Sequence, residues 1–358
     1  LQGFFFAMTD PQPRVAVVIL NWNGRKFLEQ FLPGVIAHSR PLGRVVVADN
    51  ASTDDSPDWV RQHCPEAEVL ALPTNTGYTG GYNASLKQIQ AEYYVLLNSD
   101  VEVTAGWLEP LVALADREPS LGAAQPRIRA FHQPDRFEYA GAAGGFIDHL
   151  GYPFCRGRIF QELEQDTDQY TDERRVFWAT GACMFVRAAV YHQLGGLDDR
   201  FFAHMEEIDF CWRLQRAGHE VWVSPKSIVY HVGGGTLPKY NPRKTFLNFR
   251  NNLLMLYKNL DFNEFKKVYR IRWWLDRLAA LQFLLTSGKA DAQAVLLAHR
   301  DFNKLRASYP RNEQKPHWKG FPGVYPRSIL LDHYLRGIKR FSELERHFHK
   351  TQPTSRNL

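Results

Sequence analysis

With 358 residues, 44% hydrophobic and 23% charged, the chain can bury one large core or two ordinary ones, and it carries no internal repeat or low-complexity tract. Four cysteines (Cys64, Cys155, Cys183, Cys211) lack Cys-x-x-Cys spacing, which argues against a zinc site or disulfide framework and fits reduced thiols in the cytoplasm. The formal net charge of +6 is split between an acidic front part and a basic rear: 24 Lys and Arg face 9 Asp and Glu from Lys239 onward, and 20 face 29 before it. A basic rear of this kind suits an anionic membrane or a polyanion.

Residues 1–13, with Phe4-Phe5-Phe6 ahead of Met8, are too short and lack the basic start of a signal peptide. They read as a tag remnant or disordered lead. From there strand and helix signals alternate: strands at 15–20, 44–48, 68–72 and 93–97, and helices at 25–38, 53–63 and 79–91. This βαβαβαβ order predicts a mostly parallel α/β sheet with right-handed crossovers, hence a nucleotide-binding half over 14–120. Residues 121–238 form a less regular second half, with loops at 141–145 and 162–173, a strand at 176–186, a helix at 207–216 and a strand at 220–223. The region 239–358 reads as a basic helical extension with helices at 246–260, 265–285 and 290–305. None has the uncharged apolar run of ~18 residues expected of a spanning helix.

Three strand ends carry polar side chains at the carboxyl edge of the sheet, where open α/β folds bind ligands: Asn21-Trp22-Asn23-Gly24, Asp49-Asn50-Ala51-Ser52 and Asn98-Ser99-Asp100. Asp100 is a hard oxygen ligand that fits a divalent cation bridging phosphates. It also suits a helix cap near Thr104. Asp49 fits a hydrogen bond to a base or ribose, or a plain strand-to-helix turn. The glycines of 75–83 allow close backbone approach to a phosphate at a helix start, although the run is not Gly-x-Gly-x-x-Gly.

In order and spacing, Val-Val-Ile-Leu-Asn-Trp-Asn-Gly (17–24), Asp-Asn-Ala-Ser-Thr-Asp (49–54), Asn-Thr-Gly-Tyr-Thr-Gly-Gly-Tyr-Asn (75–83) and Leu-Leu-Asn-Ser-Asp (96–100) resemble glycosyltransferase family 2. Thr180-Gly181-Ala182-Cys183-Met184, Gly195-Gly196-Leu197-Asp198 and Glu206-Glu207-Ile208-Asp209 extend the likeness over roughly residues 14–260. The bacterial rhamnosyltransferase-like branch is the most similar. The resemblance implies a GT-A fold and a metal-dependent inverting transfer of a sugar from a dTDP-, UDP- or GDP-linked donor to a glycan or lipid-linked glycan in cell-surface polysaccharide synthesis. It implies that Asn21, Asp49, Asn50, Ser52, Asn75, Gly77, Gly81, Asn83, Asn98 and Asp100 line the donor site. Asn98 stands where the family carries the first Asp of its Asp-x-Asp motif, so Asp100 is the main carboxylate ligand. His231 would complete a Mn²⁺ or Mg²⁺ site, the imidazole favouring manganese.

Glu207 stands where the family places its catalytic base, with Glu206 and Asp209 as alternatives in the same run; by composition alone the run is a solvated helix start. Trp178, Gly181 and Trp212 are acceptor-side candidates, and the loop at 233–236 is a candidate flap. Lys266, Lys267, Arg270 and Arg272 beside Trp273 and Trp274 suit a membrane interface, and equally a basic face packed on the catalytic part. These readings place the protein in the cytoplasm, at the inner face of the membrane if the basic helices dock there. A homodimer through the long helices stays open, and no nucleic-acid partner is indicated. The rival readings are a nucleotidyltransferase, which normally carries a basic Gly-rich loop after its first strand, and a catalytically degenerate GT-A scaffold.

Overall fold

The computed structural model describes residues 13–233, 241–310 and 318–348. Strands β1 (Val15–Asn21), β2 (Gly43–Asp49), β3 (Glu68–Ala71) and β4 (Tyr93–Asn98) alternate with helices α1 (Arg25–Ser39), α2 (Ser56–His63) and α3 (Gly77–Leu86). The four strands pair in parallel in the order β4-β1-β2-β3, as the alternation predicts. Successive side chains point to opposite faces. Val15, Val17 and Ile19 pack in the core beneath α1, while Ala16 and Val18 enter a second core with Tyr82 and Leu86 of α3. Both faces of the sheet are therefore covered, which is why these strands read as unbroken apolar runs.

Beyond β4 the sheet becomes mixed. Strand β5 (Val101–Val103), helix α4 (Leu108–Arg117), β6 (Leu121–Ala130) and β7 (Gln133–Phe137) follow in order. Strand β6 occupies the middle of the sheet although its sequence reads as irregular. Its Gly122 leaves no room for a Cβ, which would lie 2.8 Å from Leu214 Cδ1. Pro126 sits at a register shift in the pairing, where a missing N–H is tolerated. Small residues and a proline hide a central strand from propensity.

A second sheet follows from β8 (Gly145–Asp148), β9 (Pro153–Cys155), β10 (Arg158–Ile159) and β11 (Glu162–Leu163), in a stretch expected to be irregular, with β11 inside an expected loop. The strand expected at 176–186 is two: β12 (Arg174–Val176), and β13 (Cys183–Arg187), which runs antiparallel between β4 and β6. After α5 (Ala188–Gln193) and α6 (Glu206–Arg216), β14 (Glu220–His231) runs far beyond its expected end at 223 and pairs with β6 and β5. This extension carries His231 to the carboxyl edge of the sheet.

Helices α7 (Pro242–Asn259), α8 (Phe262–Thr286) and α9 (Lys289–Leu305) form the expected helical extension. The segment after them adds β15 (Val324–Tyr325), α10 (Ile329–Tyr334) and α11 (Ser342–Phe348). Strand β15 pairs in parallel with β8, and the Ile329 N–H donates to Asp148 Oδ2 (3.0 Å). The rear of the chain is thus stitched into the second sheet. Among the described residues no helix is long and apolar enough to cross a membrane.

Candidate active site

The three polar strand ends meet at one edge. Asn21 Nδ2 donates to Asp49 Oδ1 (3.0 Å), Ser52 Oγ (3.2 Å) and Ser56 Oγ (2.8 Å), and the Ser52 N–H donates to Asp49 Oδ2 (3.1 Å). Both Asp49 oxygens therefore have a protein donor, with lone pairs to spare for a ligand. Asn50 Nδ2 donates to Asn75 Oδ1 and to the Gly77 carbonyl (3.0 Å each), joining β2 to the turn before α3. Asn21, Asp49, Asn50, Ser52 and Asn75 are brought together as the sequence reading expects.

The glycine-rich segment behaves differently. The Gly77 N–H donates to Asn75 Oδ1 (2.9 Å), and those of Tyr78 and Thr79 to the Phe202 carbonyl (3.1 and 3.4 Å). The first amides of α3 are therefore already satisfied, and the expected phosphate cradle at this helix start is corrected. Gly77 (φ 75°) instead makes the turn, and a Cβ there would lie 2.6 Å from the Phe202 ring. Gly81 lets α3 sit on the sheet, since a Cβ would meet Leu20 Cδ1 at 2.7 Å. Asn83 is likewise corrected from a donor-site role. It donates to the Leu197 carbonyl and Asp199 Oδ1 and accepts from Tyr191 Oη and the Leu197 N–H, which uses its whole hydrogen-bonding capacity to pin 191–199 onto α3.

At the tip of β4, Asn98 is half-buried and its N–H donates to the Ala182 carbonyl (3.0 Å). Asp100 is buried, and its carbonyl accepts from the Val232 N–H (3.0 Å), which ties it to the end of β14. His231 Nε2 lies 3.2 Å from Asp100 Oδ1. At that separation an oxygen and an imidazole nitrogen could hold one divalent cation between them. On the other side of the ring, His231 Nδ1 lies 3.1 Å from Glu138 Oε2, at ion-pair distance though without hydrogen-bond alignment. A carboxylate at the outer nitrogen of a metal-binding imidazole fixes its orientation and basicity. Among the described residues no three His, Cys, Asp or Glu side chains converge on one point, because Asp100 and Glu138 flank opposite edges of the imidazole. Asp100 and His231 are the two side chains at this edge that could hold a cation.

Burial works against the charged imidazole, but Glu138 and Asp100 together hold His231 up at about 10, while Asp100 itself lies below its ordinary value despite burial. A cation binding here must displace the His231 proton. Glu138 was missed because it lies beyond β7 in a stretch with no motif. The flap residues 234–236 lie outside the described residues.

A second group of carboxylates lies at the start of α6. Glu207 is half-buried, and its Oε2 is shielded from solvent without a hydrogen-bond partner. Burial pushes Glu207 up to about 7. Glu206 is more deeply buried, also with a partnerless Oε2, and burial and the neighbouring Glu207 raise it well above the ordinary carboxylate range. Asp209 is corrected to a structural role. Its Oδ1 accepts from Asn259 (2.8 Å) and its Oδ2 from Arg213 (2.9 Å) and Lys258 (2.7 Å), which outweigh burial and keep it below its usual value. Gly181 lies between Glu207 and the β4 tip: a Cβ on Gly181 would lie 3.8 Å from Glu207 Cβ and 2.8 Å from Tyr78 Oη, and the adjacent Ala182 carbonyl holds Asn98. Trp178 and Trp212, the acceptor-side candidates, are core residues. Trp178 donates from Nε1 to the Phe146 carbonyl (2.9 Å), and Trp212 packs against Phe177 and Trp318.

The loop that delivers the two glutamates is strained. Phe202, His204 and Met205 have φ of 65°, 70° and 71°, a region that side-chain-bearing residues avoid at a cost of about 1–3 kcal/mol each. Asn251 of α7 clamps it, donating from Nδ2 to the carbonyls of Phe201 (2.9 Å), Ala203 (2.8 Å) and His204 (2.7 Å). The polar pair Asn251-Asn252 directly before the apolar run 253–256 is the available sequence signal. Asn251→Ala is expected to lower stability by about 1–3 kcal/mol through unsatisfied carbonyls, and to lower kcat more than donor affinity, read from urea melts and steady-state kinetics.

The parallel β4-β1-β2-β3 sheet with its polar carboxyl edge defines a nucleotide-binding type of α/β fold. Residues 16–195 match the model of Glycosyl transferase family 2. N-acetylglucosaminyl-diphospho-decaprenol L-rhamnosyltransferase of Mycobacterium tuberculosis is 31% identical over 249 residues, 64% of this chain and 78% of that protein. Low-salt glycan biosynthesis hexosyltransferase Agl10 of Haloferax volcanii is 25% identical over 248 residues, 67% of this chain and 74% of that one. In fold, GalNAc-T7 with UDP, GalNAc and Mn²⁺ aligns at TM-score 0.56 and 16% identity, over 84% of this chain and 57% of that one. The mannosyltransferase PcManGT from Pyrobaculum calidifontis with GDP-Man and Mn²⁺ aligns at 0.50 and 16% identity, over 83% and 79%. The chain belongs to glycosyltransferase family 2.

Proposed function

We propose that the protein is a divalent-metal-dependent inverting glycosyltransferase. It moves a sugar from a nucleoside diphosphate to a hydroxyl of a saccharide carried on a lipid diphosphate. The observation that carries this reading is a partnerless carboxyl, Glu207, raised to about 7 and packed beside Gly181, whose neighbour Ala182 holds the strand tip two residues before Asp100. Asp49, Asn75 and Ser52 hold the nucleoside. Asp100 and His231 hold the cation, which when bound neutralises the departing diphosphate. Glu207 takes the proton of the acceptor hydroxyl as that oxygen attacks the anomeric carbon, and the configuration inverts in one displacement. The M. tuberculosis relative's name supports rhamnose as the sugar and a polyprenyl-diphosphate N-acetylglucosaminyl acceptor. Incubating the enzyme and Mn²⁺ with dTDP-, UDP- and GDP-sugars and a short-chain acceptor of that class tests it. Product of inverted anomeric configuration, lost on EDTA treatment, is expected; retention of configuration or full EDTA-resistant activity overturns it.

A pH profile follows. Glu207 must be ionised to accept the proton, so kcat/KM should fall about tenfold per pH unit below about 7 and level off above it. Rate measurements from pH 5 to 9 at saturating Mn²⁺ read this directly.

A further inference from the structure

Helix α8 spans 25 residues, about 38 Å at 1.5 Å per residue. One face is anchored: Phe265, Val268, Arg272, Asp276 and Ala280 are buried. Arg272 and His299 pair with Asp276 at 3.2 and 3.0 Å, so Arg272, expected on a basic surface, is interior. The opposite face carries Ile271, Trp274, Leu278, Leu281 and Leu285, spaced three and four apart and all about half exposed or more, with Trp274 at 67% and Leu285 at 78%. Just before this stripe, Lys266, Lys267 and Arg270 are exposed. The helix shows no exposed acid: Asp276 is buried, and Glu264 is half-buried and paired with Lys319 (2.8 Å).

We propose that this face of α8 docks on an anionic lipid bilayer, the apolar stripe entering the headgroup region and the three cations meeting lipid phosphates. An exposed tryptophan and leucines alongside lysine and arginine match the interface plane, where the ring sits at headgroup level and cations reach anionic lipid. A stripe with this spacing also suits a second copy of α8. Helix pairs, however, match flanking cations with acids, and here the flanks hold cations alone. Charge complementarity therefore selects the bilayer. The inference stands apart from the transfer reaction, and vesicles without acceptor test it by itself.

The test is flotation of the full-length protein with vesicles of phosphatidylcholine alone and with 30 mol% phosphatidylglycerol. Binding is expected only to the anionic vesicles, with at least a tenfold loss in 0.5 M NaCl. The same loss is expected in Trp274→Glu/Leu278→Glu and in Lys266→Glu/Lys267→Glu/Arg270→Glu. Donor hydrolysis and melting temperature should stay unchanged in both, since all five positions face solvent. Equal binding to both vesicle types, or variants that float like the parent, overturns the proposal. So does a dimer in sedimentation that Trp274→Glu/Leu278→Glu converts to monomer while the parent fails to float.

Discussion

Glu207→Gln is expected to reduce transfer by about 10²–10⁴-fold while leaving Mn²⁺-dependent binding of the nucleoside diphosphate intact. The amide keeps the shape of the side chain but offers no oxygen basic enough to take a proton. Glu206→Gln is the control. Glu206 is buried, and burial with the neighbouring Glu207 raises it well above its ordinary value, so its site disfavours charge and suits a neutral amide of the same shape. Its effect should stay within a few-fold. Stopped-time product assays with calorimetric titration of the nucleotide decide between the two glutamates. A full-rate Glu207→Gln enzyme would move the base assignment to its neighbour.

Asp100→Ala is expected to abolish the Mn²⁺ dependence of nucleotide binding and to cut activity by more than about 100-fold, because it removes the only carboxylate of the cation pair. Glu138→Gln supplies a graded comparison. It faces the outer nitrogen of His231 and also accepts from the Ala140 N–H, so metal affinity should weaken by about 10–100-fold with a smaller loss at saturating Mn²⁺. Titration of Mn²⁺ by electron paramagnetic resonance separates the two effects. Unaltered cation affinity in both variants would place the metal elsewhere.

The parts of the fold that read clearly from sequence are those where local pattern and tertiary role agree. Strands β1, β2 and β4 are apolar because both faces are covered, and their polar tips signal the ligand edge. Strand β6 was illegible because Gly122 and Pro126 contradict strand propensity and are tolerated only by close packing on Leu214 and a register shift. The site divides in the same way. Asp100 and Glu207 stand out by motif. Glu138 and Asn251 act through partners far away in sequence, the latter through carbonyls about 50 residues upstream that no local pattern announces. The tryptophans misled for a related reason. An aromatic beside a polar motif looks the same whether it faces a sugar or Phe177 and Trp318.

Pairing of β15 with β8 joins segments about 180 residues apart and brings Gly323 so close to Phe177 that a Cβ would lie 2.2 Å from its backbone nitrogen. During synthesis, β8 leaves the ribosome long before its edge partner exists. The small sheet waits with an open hydrogen-bonding rim until residues 324–325 have been made. A message cut short just after α9 would thus yield a product holding every proposed catalytic side chain yet prone to self-association along that rim.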